Sequence, residues 1–513
     1  MSIDIGIKMT DLSGQHVHEF QKKLGLPDVI AQSLSVIAPA MSGAFLTYLA
    51  ATKAGGATPV SFLLGALGML CVGSVVALFA GSLSSSGSMY TYLSKGGNRA
   101  TGFIGGWAYV SAYLIFGSGV LSGFGFFIAQ LVEMLSGAEI DWYWFTLLGI
   151  VIIAALNFFN IAVSTKNQLI FLVVSMAVMI IVSAIVIGIG SPDVSVVDGE
   201  TRVDSAGQSW DFAAFWPPAA GVPWIGVFFG MSFAMLSFVG SESSAALSEE
   251  TRDSKRNIPR AVLGSILVAG IFYLVVSYAT SIGFGVEQAK IDWPSSATGL
   301  AGLAPNTLTA ALVLAAAGGA SLFCALGLHT ASSRVLFAMG REGVLPKKLG
   351  RLHPHWNTPW NSMIFVVVVW ILLIGGSVLI VSRAAQVELA GGLDDYVTGG
   401  VFVFTLLLNF GTPVVMFVYL MLGIAGIVHG FRNKLPKFIA AGFGASVFAV
   451  VAIFGGLYFS FVPEEPGGTI LMASRLIPWV GMLIVIIGCI LAIWTKRKRA
   501  QAWEGMGRVF DDL

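Results

Sequence analysis

Residues 238–242 read Phe238-Val239-Gly240-Ser241-Glu242, and they interrupt an apolar run that begins near residue 220. A charged segment, EETRDSKRNIPR, follows from Glu249 to Arg260. A carboxylate inside an apolar span is costly, and by default it marks a functional position. Directly after a glycine, it also predicts a helix that stops and restarts at membrane depth. Such irregular backbone is tolerated only where it is buried in protein or lines a cavity, and transporters use it to offer backbone groups to a substrate.

The composition gives that reading its setting. Hydrophobic residues make up 56% of the 513 residues and charged residues only 11%. Soluble domains carry about 25% charged residues, so the chain is an integral membrane protein. The net charge of +1 comes with no basic, aromatic-interleaved patch, and no nucleic-acid partner is expected. The N-terminal stretch MSIDIGIKMTDLSGQHVHEFQKKLG is polar throughout, so no cleavable signal peptide is expected. Cys71, Cys324 and Cys489 each sit in an apolar stretch. They read as small buried hydrophobes rather than as a disulfide framework or metal cluster.

A span needs about 20 apolar residues, and twelve stretches qualify: 29–52, 58–80, 101–134, 142–162, 168–190, 220–247, 259–286, 305–340, 360–382, 397–428, 438–462 and 475–495. With both termini in the cytoplasm, 23 of the 28 Lys and Arg fall on that side, and only Lys53, Arg202, Lys290, Arg383 and Arg475 fall opposite. That asymmetry is what the positive-inside rule requires. The expected plan is therefore a cytoplasmic segment 1–28, a five-helix unit 29–190, an extracellular loop 191–219 and a second five-helix unit 220–428. Two further helices within 438–495 and a basic tail 496–513 follow. The loop is acidic and reads as solvated, with a lid over the pathway as the alternative. Lys496–Arg499 read as an anchor at the anionic leaflet.

The first span carries a matching interruption, SVIAPAMSGAFLTYLAATKAGG, Ser35–Gly56. Pro39 removes a backbone donor, and Ser42-Gly43 permits close approach to the backbone. Unwinding here would free amides at about Met41–Ala44 to receive a carboxylate or another electronegative group; a simple proline kink is the alternative. In the sixth span, carbonyls of about Leu236–Val239 would accept from a substrate ammonium. Interrupted spans in corresponding positions of two repeats point to a transporter binding site.

These residues carry a resemblance. SFVGSESSAALSEETRDSKRNIPRA (Ser237–Ala261), SGAFLTYLAATKAGG in the first span, SSSGSMYTYLSKG (Ser84–Gly96) and SSRVLFAMGREGVLP (Ser332–Pro346) resemble the amino acid–polyamine–organocation permeases. The likeness covers most of the first ten spans. It implies an all-α membrane protein of twelve transmembrane helices, built as an inverted five-plus-five repeat of leucine-transporter type with discontinuous first and sixth helices. It further implies substrate held between those two helices and alternating access by rocking of a bundle against a scaffold.

Ala38, Met41, Ser42, Gly43, Leu236, Phe238, Val239 and Gly240, at the two interruptions, are the candidate substrate-binding residues, and by the resemblance Ser42 and Gly43 match the end of the family's Gly-Ser-Gly. By the same resemblance Tyr90 lines or gates the path, and Glu242 gates or responds to pH. Three positions depart from the family pattern. Met41 stands where its first glycine belongs, and Leu236 replaces a residue that is aromatic in some relatives. Ser175 falls where many relatives have a lysine, so a lysine-based proton mechanism is not supported. Ser175, Ser332 and Ser333 are a candidate sodium set, although a proton is the preferred coupling ion. A histidine in water titrates near neutral pH, so His329, inside the eighth span, is either a proton carrier or a structural histidine.

The expected function is import of an amino acid or related amine by a secondary transporter of the cytoplasmic membrane, monomeric or homodimeric. It needs a small-molecule substrate and the lipid bilayer, and no cofactor or metal. A polyamine, organic-cation or small-cation carrier and an amino acid exchanger are the rivals. A membrane-embedded enzyme finds no support, since the spans hold neither HExxH nor a phosphate loop.

Overall fold

The computed structural model describes residues 24–83, 88–159, 165–189, 195–197, 200–202, 210–356, 358–388, 398–461 and 475–505. Lys8, Lys22, Lys23 and Arg508, counted above among the cytoplasmic cations, and Asp394-Asp395-Tyr396, which precedes the tenth span and reads as a solvated helix start, lie outside the described residues.

The apolar stretches form long helices. They are α1 (Leu26–Ile37), α2 (Thr58–Ser82), α3 (Arg99–Ser136), α4 (Trp142–Phe158), α5 (Thr165–Ile189) and α6 (Trp224–Leu236). These are followed by α7 (Ser254–Gly283), α8 (Thr307–Arg341), α9 (Trp360–Glu388), α10 (Thr398–Asn433), α11 (Pro436–Phe461) and α12 (Ile477–Lys498). Among the described residues, ten helical stretches are long and apolar enough to cross a membrane. The first of them, Leu26–Ser82, is 57 residues long and is broken at Ala38 and again at Gly55–Ala57. Trp142–Phe158 is a shorter apolar helix of 17 residues.

Burial orders the helices. In α3 and in Trp224–Ser248, 78% of the most apolar window is enclosed, against 17% in α12. The third and sixth stretches are therefore central, and the last is peripheral. The glycines of α3 serve interior packing rather than a single seam. A Cβ on Gly106 would meet Tyr90, one on Gly117 would meet Trp370, and one on Gly123 would meet Phe404. Small residues that admit a neighbour's large ring are how membrane helices pack without a hydrophobic driving force between them. α3 and α8 also begin alike: Asn98 caps the Thr101 amide at 3.0 Å, and Asn306 caps the Thr309 amide at 2.9 Å.

Two features depart from the expected plan. The 191–219 loop contains a two-stranded antiparallel hairpin, Ser195–Val197 with Glu200–Arg202. Its second half is packed rather than solvated. Asp211 caps the short helix Phe212–Phe215, Phe215 stacks on Tyr278 at 5.4 Å, and Ala214 and Ala220 are buried. An apolar FAAF stretch gains more from covering the ends of α2 and α7 than from hydration. The basic segment is also shorter as a loop than expected. Ser241–Glu250 is a 3-10 helix and α7 starts at Ser254, so Lys255, Arg256 and Arg260 lie on its first turns.

Candidate functional site

Both predicted interruptions exist, and they touch. In the first stretch the break is the single residue Ala38, at φ +48°. A left-handed conformation costs an L-residue about 1–2 kcal/mol, and Pro39 then restarts the helix at a position where its missing N–H is harmless. The break lies earlier than the Ser42-Gly43 pair suggested. Met41 ends a short turn, and Ser42–Leu46 form a wide π-turn, so Met41–Ala44 are helical rather than unwound. Gly43 faces protein: a Cβ there would lie 3.0 Å from Phe272 and 3.4 Å from Met179.

In the sixth stretch α6 ends at Leu236, a turn follows, and Gly240 takes φ +103°. A Cβ at Gly240 would collide with Val36 at the end of α1. Glycine is thus required twice over, for its conformation and for the close approach. The turn carbonyls keep local partners. Leu236 O accepts from the Val239 amide at 3.0 Å, and Phe238 O accepts from the Ser241 amide at 3.1 Å.

Carbonyls released by the breaks are taken up by side chains, as buried backbone groups require. Cys324 donates to Val36 O at 3.0 Å, Ser42 donates to Ile37 O at 3.1 Å, and Ser33 donates to Ser241 O at 2.8 Å. Tyr273 of α7 reaches both breaks. Its hydroxyl donates to Ser237 O at 2.8 Å and lies 3.5 Å from Ile37 O. Phe238 packs edge-on against the same ring at 5.1 Å.

Beside the second break sits Glu242, 1% exposed. Its carboxylate accepts from Tyr113 at 2.8 Å and from Tyr419 at 3.3 Å, with Tyr109 at 3.5 Å. The Gly240 amide and the Ser241 hydroxyl, both at 3.2 Å, serve the other oxygen. All these donors are neutral. A hydrogen bond to a charged group is worth about 1.5–3 kcal/mol, so a set of this size offsets much of the cost of burying a carboxylate without a cation. Tyr109 and Tyr113 lie four residues apart on α3, their rings 4.2 Å apart. Tyr419 comes from α10.

The breaks are covered on both sides. Toward the Leu24 end, Tyr90 donates to Glu342 at the end of α8, and Arg334 pairs with Glu250 at 2.9 Å. The Leu24 amide donates to Glu250 O at 3.0 Å. Toward the opposite end, Phe45 stacks on Phe404 at 4.1 Å and contacts Phe126 and Phe127.

Other candidates are used elsewhere. His329 is fully buried, with Nε2 3.3 Å from Met363 O and its ring 5.5 Å from Trp370, both on α9. Ser175 donates to Leu172 O at 2.9 Å on its own helix. Ser332 and Ser333 are buried, with hydroxyls that find no partner among the described residues. Among those residues no cluster of three metal-ligating side chains occurs. The sequence reading missed Tyr273 and the tyrosines around Glu242. The Tyr109/Tyr113 spacing on a glycine-rich span was the available signal; Tyr273 offered none, since an aromatic residue in an apolar helix normally belongs to the core.

An amino acid permease family model matches residues 24–497, which include the breaks, Glu242 and every helix around them. The chain belongs to this family. The permease is 26% identical over 365 residues to the low-affinity putrescine importer PlaP of Escherichia coli, covering 69% of this chain and 75% of that one. It is 27% identical over 383 residues to the branched-chain amino acid permease BcaP of Lactococcus lactis, covering 69% and 76%. It is 24% identical over 465 residues to the methylthioribose transporter of Bacillus subtilis, covering 88% of each. Among solved structures, the permease resembles the Eremococcus coleocola manganese transporter with TM-score 0.52 and 14% identity, over 92% of this chain and 94% of that chain. That likeness speaks for a shared leucine-transporter-like fold alone. The permease is a multi-pass membrane transporter and not an enzyme.

Proposed function

We propose that this permease is a secondary active transporter that carries an amino acid or a related amine across the cytoplasmic membrane by alternating access. The single observation that carries the reading is the contact between the breaks at Ala38 and Gly240, with Glu242 buried beside them. Backbone near Ala38–Gly43 receives the electronegative pole of the substrate. Leu236–Gly240 and their second carbonyl lone pairs receive the ammonium. Glu242 titrates during the cycle and couples it to protons; the serines Ser175, Ser332 and Ser333 are the lesser, sodium-based alternative.

We read the chain as twelve crossings with both termini cytoplasmic, arranged as an inverted five-plus-five repeat followed by α11 and α12. The matched breaks support the repeat, and so do the matched Asn caps on α3 and α8. The Tyr90–Glu342 and Arg334–Glu250 contacts then form a cytoplasmic gate, and the Phe45–Phe404 stack forms an outer one. With both in place the conformation is occluded.

An amino acid is favoured over a polyamine because the donor set already surrounds both Glu242 oxygens, leaving little for a second ammonium group. Uptake by proteoliposomes, screened across amino acids, putrescine and other amines, tests the assignment. At least one monoamine amino acid should accumulate, and faster under an inward proton gradient. Uptake of none of these compounds would overturn the substrate class.

A further inference from the structure

The peptide that follows α12 folds back onto the gate. Resting on the cytoplasmic-gate reading above, we propose that Arg499 and Trp503 are positioning residues that hold the turn carrying Glu342 and so set how readily the inner gate opens.

Four contacts place the tail. One Arg499 guanidinium nitrogen donates to Gly343 O at 2.8 Å and to Leu345 O at 3.0 Å, the carbonyls flanking buried Val344. The guanidinium also lies 4.9 Å from the Trp494 ring, which fixes it by a cation–π contact. Trp503, on the short helix Ala500–Gly505, brings its ring to 6.2 Å from fully buried Phe103 of α3. Gly343 sits at φ +76°, and a Cβ there would stand 3.6 Å from Ala502.

The turn so held begins with Glu342, the acceptor of the Tyr90 hydroxyl. Tyr90 belongs to the Ser88–Gly96 helix, and Glu342 follows α8, whose Arg334 makes the other gate contact, to Glu250. A residue that fixes the carbonyls one and three positions beyond Glu342 limits where its carboxylate can go. The tail thus ties together α12, α3 and the turn after α8. Opening the gate must either carry the tail along or break its hydrogen bonds. Arg499 suits the task because its guanidinium stays charged and directs several donors in a fixed plane. By contrast Lys496, Arg497 and Lys498 are exposed.

The test uses the native Cys324, which is buried at the first break, as a reporter in the full-length protein carrying Cys71→Ser and Cys489→Ser. A membrane-impermeant thiol reagent is added to the cytoplasmic face of inside-out vesicles. Arg499→Ala and Trp503→Ala should each speed labelling of Cys324 about fivefold, the change in open population expected from losing one net hydrogen bond at Arg499 or one aromatic contact at Trp503. Tyr90→Phe should do likewise. The Tyr90→Phe/Arg499→Ala double variant should be no faster than the faster single, because both act on one gate. Unchanged melting temperatures in detergent exclude general unfolding as the cause.

Parent-rate labelling of Arg499→Ala beside fast labelling of Tyr90→Phe would overturn the tail's role and leave the gate intact. Multiplicative rates in the double variant would show the tail acting elsewhere, and would overturn the proposal too. Parent-rate labelling of Tyr90→Phe would remove the gate itself, and the tail's role with it.

Discussion

Glu242 is the side chain on which the proposed coupling of this permease rests. It is buried, faces neutral donors on both oxygens and lies two residues after the glycine that breaks its helix. Glu242→Gln keeps the size of the side chain and one of its two acceptor oxygens, so the protein should fold and retain residual transport. Its pH profile should flatten, because the titrating group is gone. A profile of initial uptake rate from pH 5 to pH 8 that matches the parent would remove Glu242 from the coupling mechanism. The sequence disclosed this residue because a lone carboxylate in an apolar run needs a reason. It did not disclose Tyr109, Tyr113 and Tyr419, which only the packing of α3 and α10 against the break brings together.

At the scale of elements, the break in the first stretch illustrates the limit of local reading. Pro39, Ser42 and Gly43 pointed to the right helix, but the residue that leaves helical conformation is Ala38. Alanine favours helix, and its left-handed state here is imposed by tertiary contacts that no local pattern reports. Those contacts include the Cys324 thiol on Val36 O and the Tyr273 hydroxyl near Ile37 O. Tyr273 links this break to the other through Ile37 O and Ser237 O. Tyr273→Phe removes only the hydroxyl. The loss of about 1 kcal/mol for one hydrogen bond should raise KM about fivefold, with expression and melting temperature close to the parent. KM and turnover both at the parent values would show that the link between the breaks has no part in transport.

At the scale of the whole molecule, the helices follow the apolar stretches closely, since twenty consecutive apolar residues leave few alternatives in a bilayer. The packing of residues 211–222 onto α2 and α7 was not legible, because an acidic connection with a short apolar stretch resembles a solvated loop. The proposed orientation follows from the distribution of Lys and Arg and has a direct check. A cysteine at exposed Gln288 should react with an impermeant maleimide on intact cells, whereas one at exposed Lys434 should react only after permeabilisation. The reverse pattern would invert the topology and exchange the two gates.

The central claim is that substrate occupies the space between the broken helices. Ser42→Cys, in a protein whose three native cysteines are replaced by serine, places a thiol at the first break. The account predicts that a transported amino acid slows labelling of this thiol, with half-protection near its KM for uptake, while a non-transported analogue leaves the rate unchanged. A labelling rate indifferent to saturating substrate, in a variant that still transports, would contradict it.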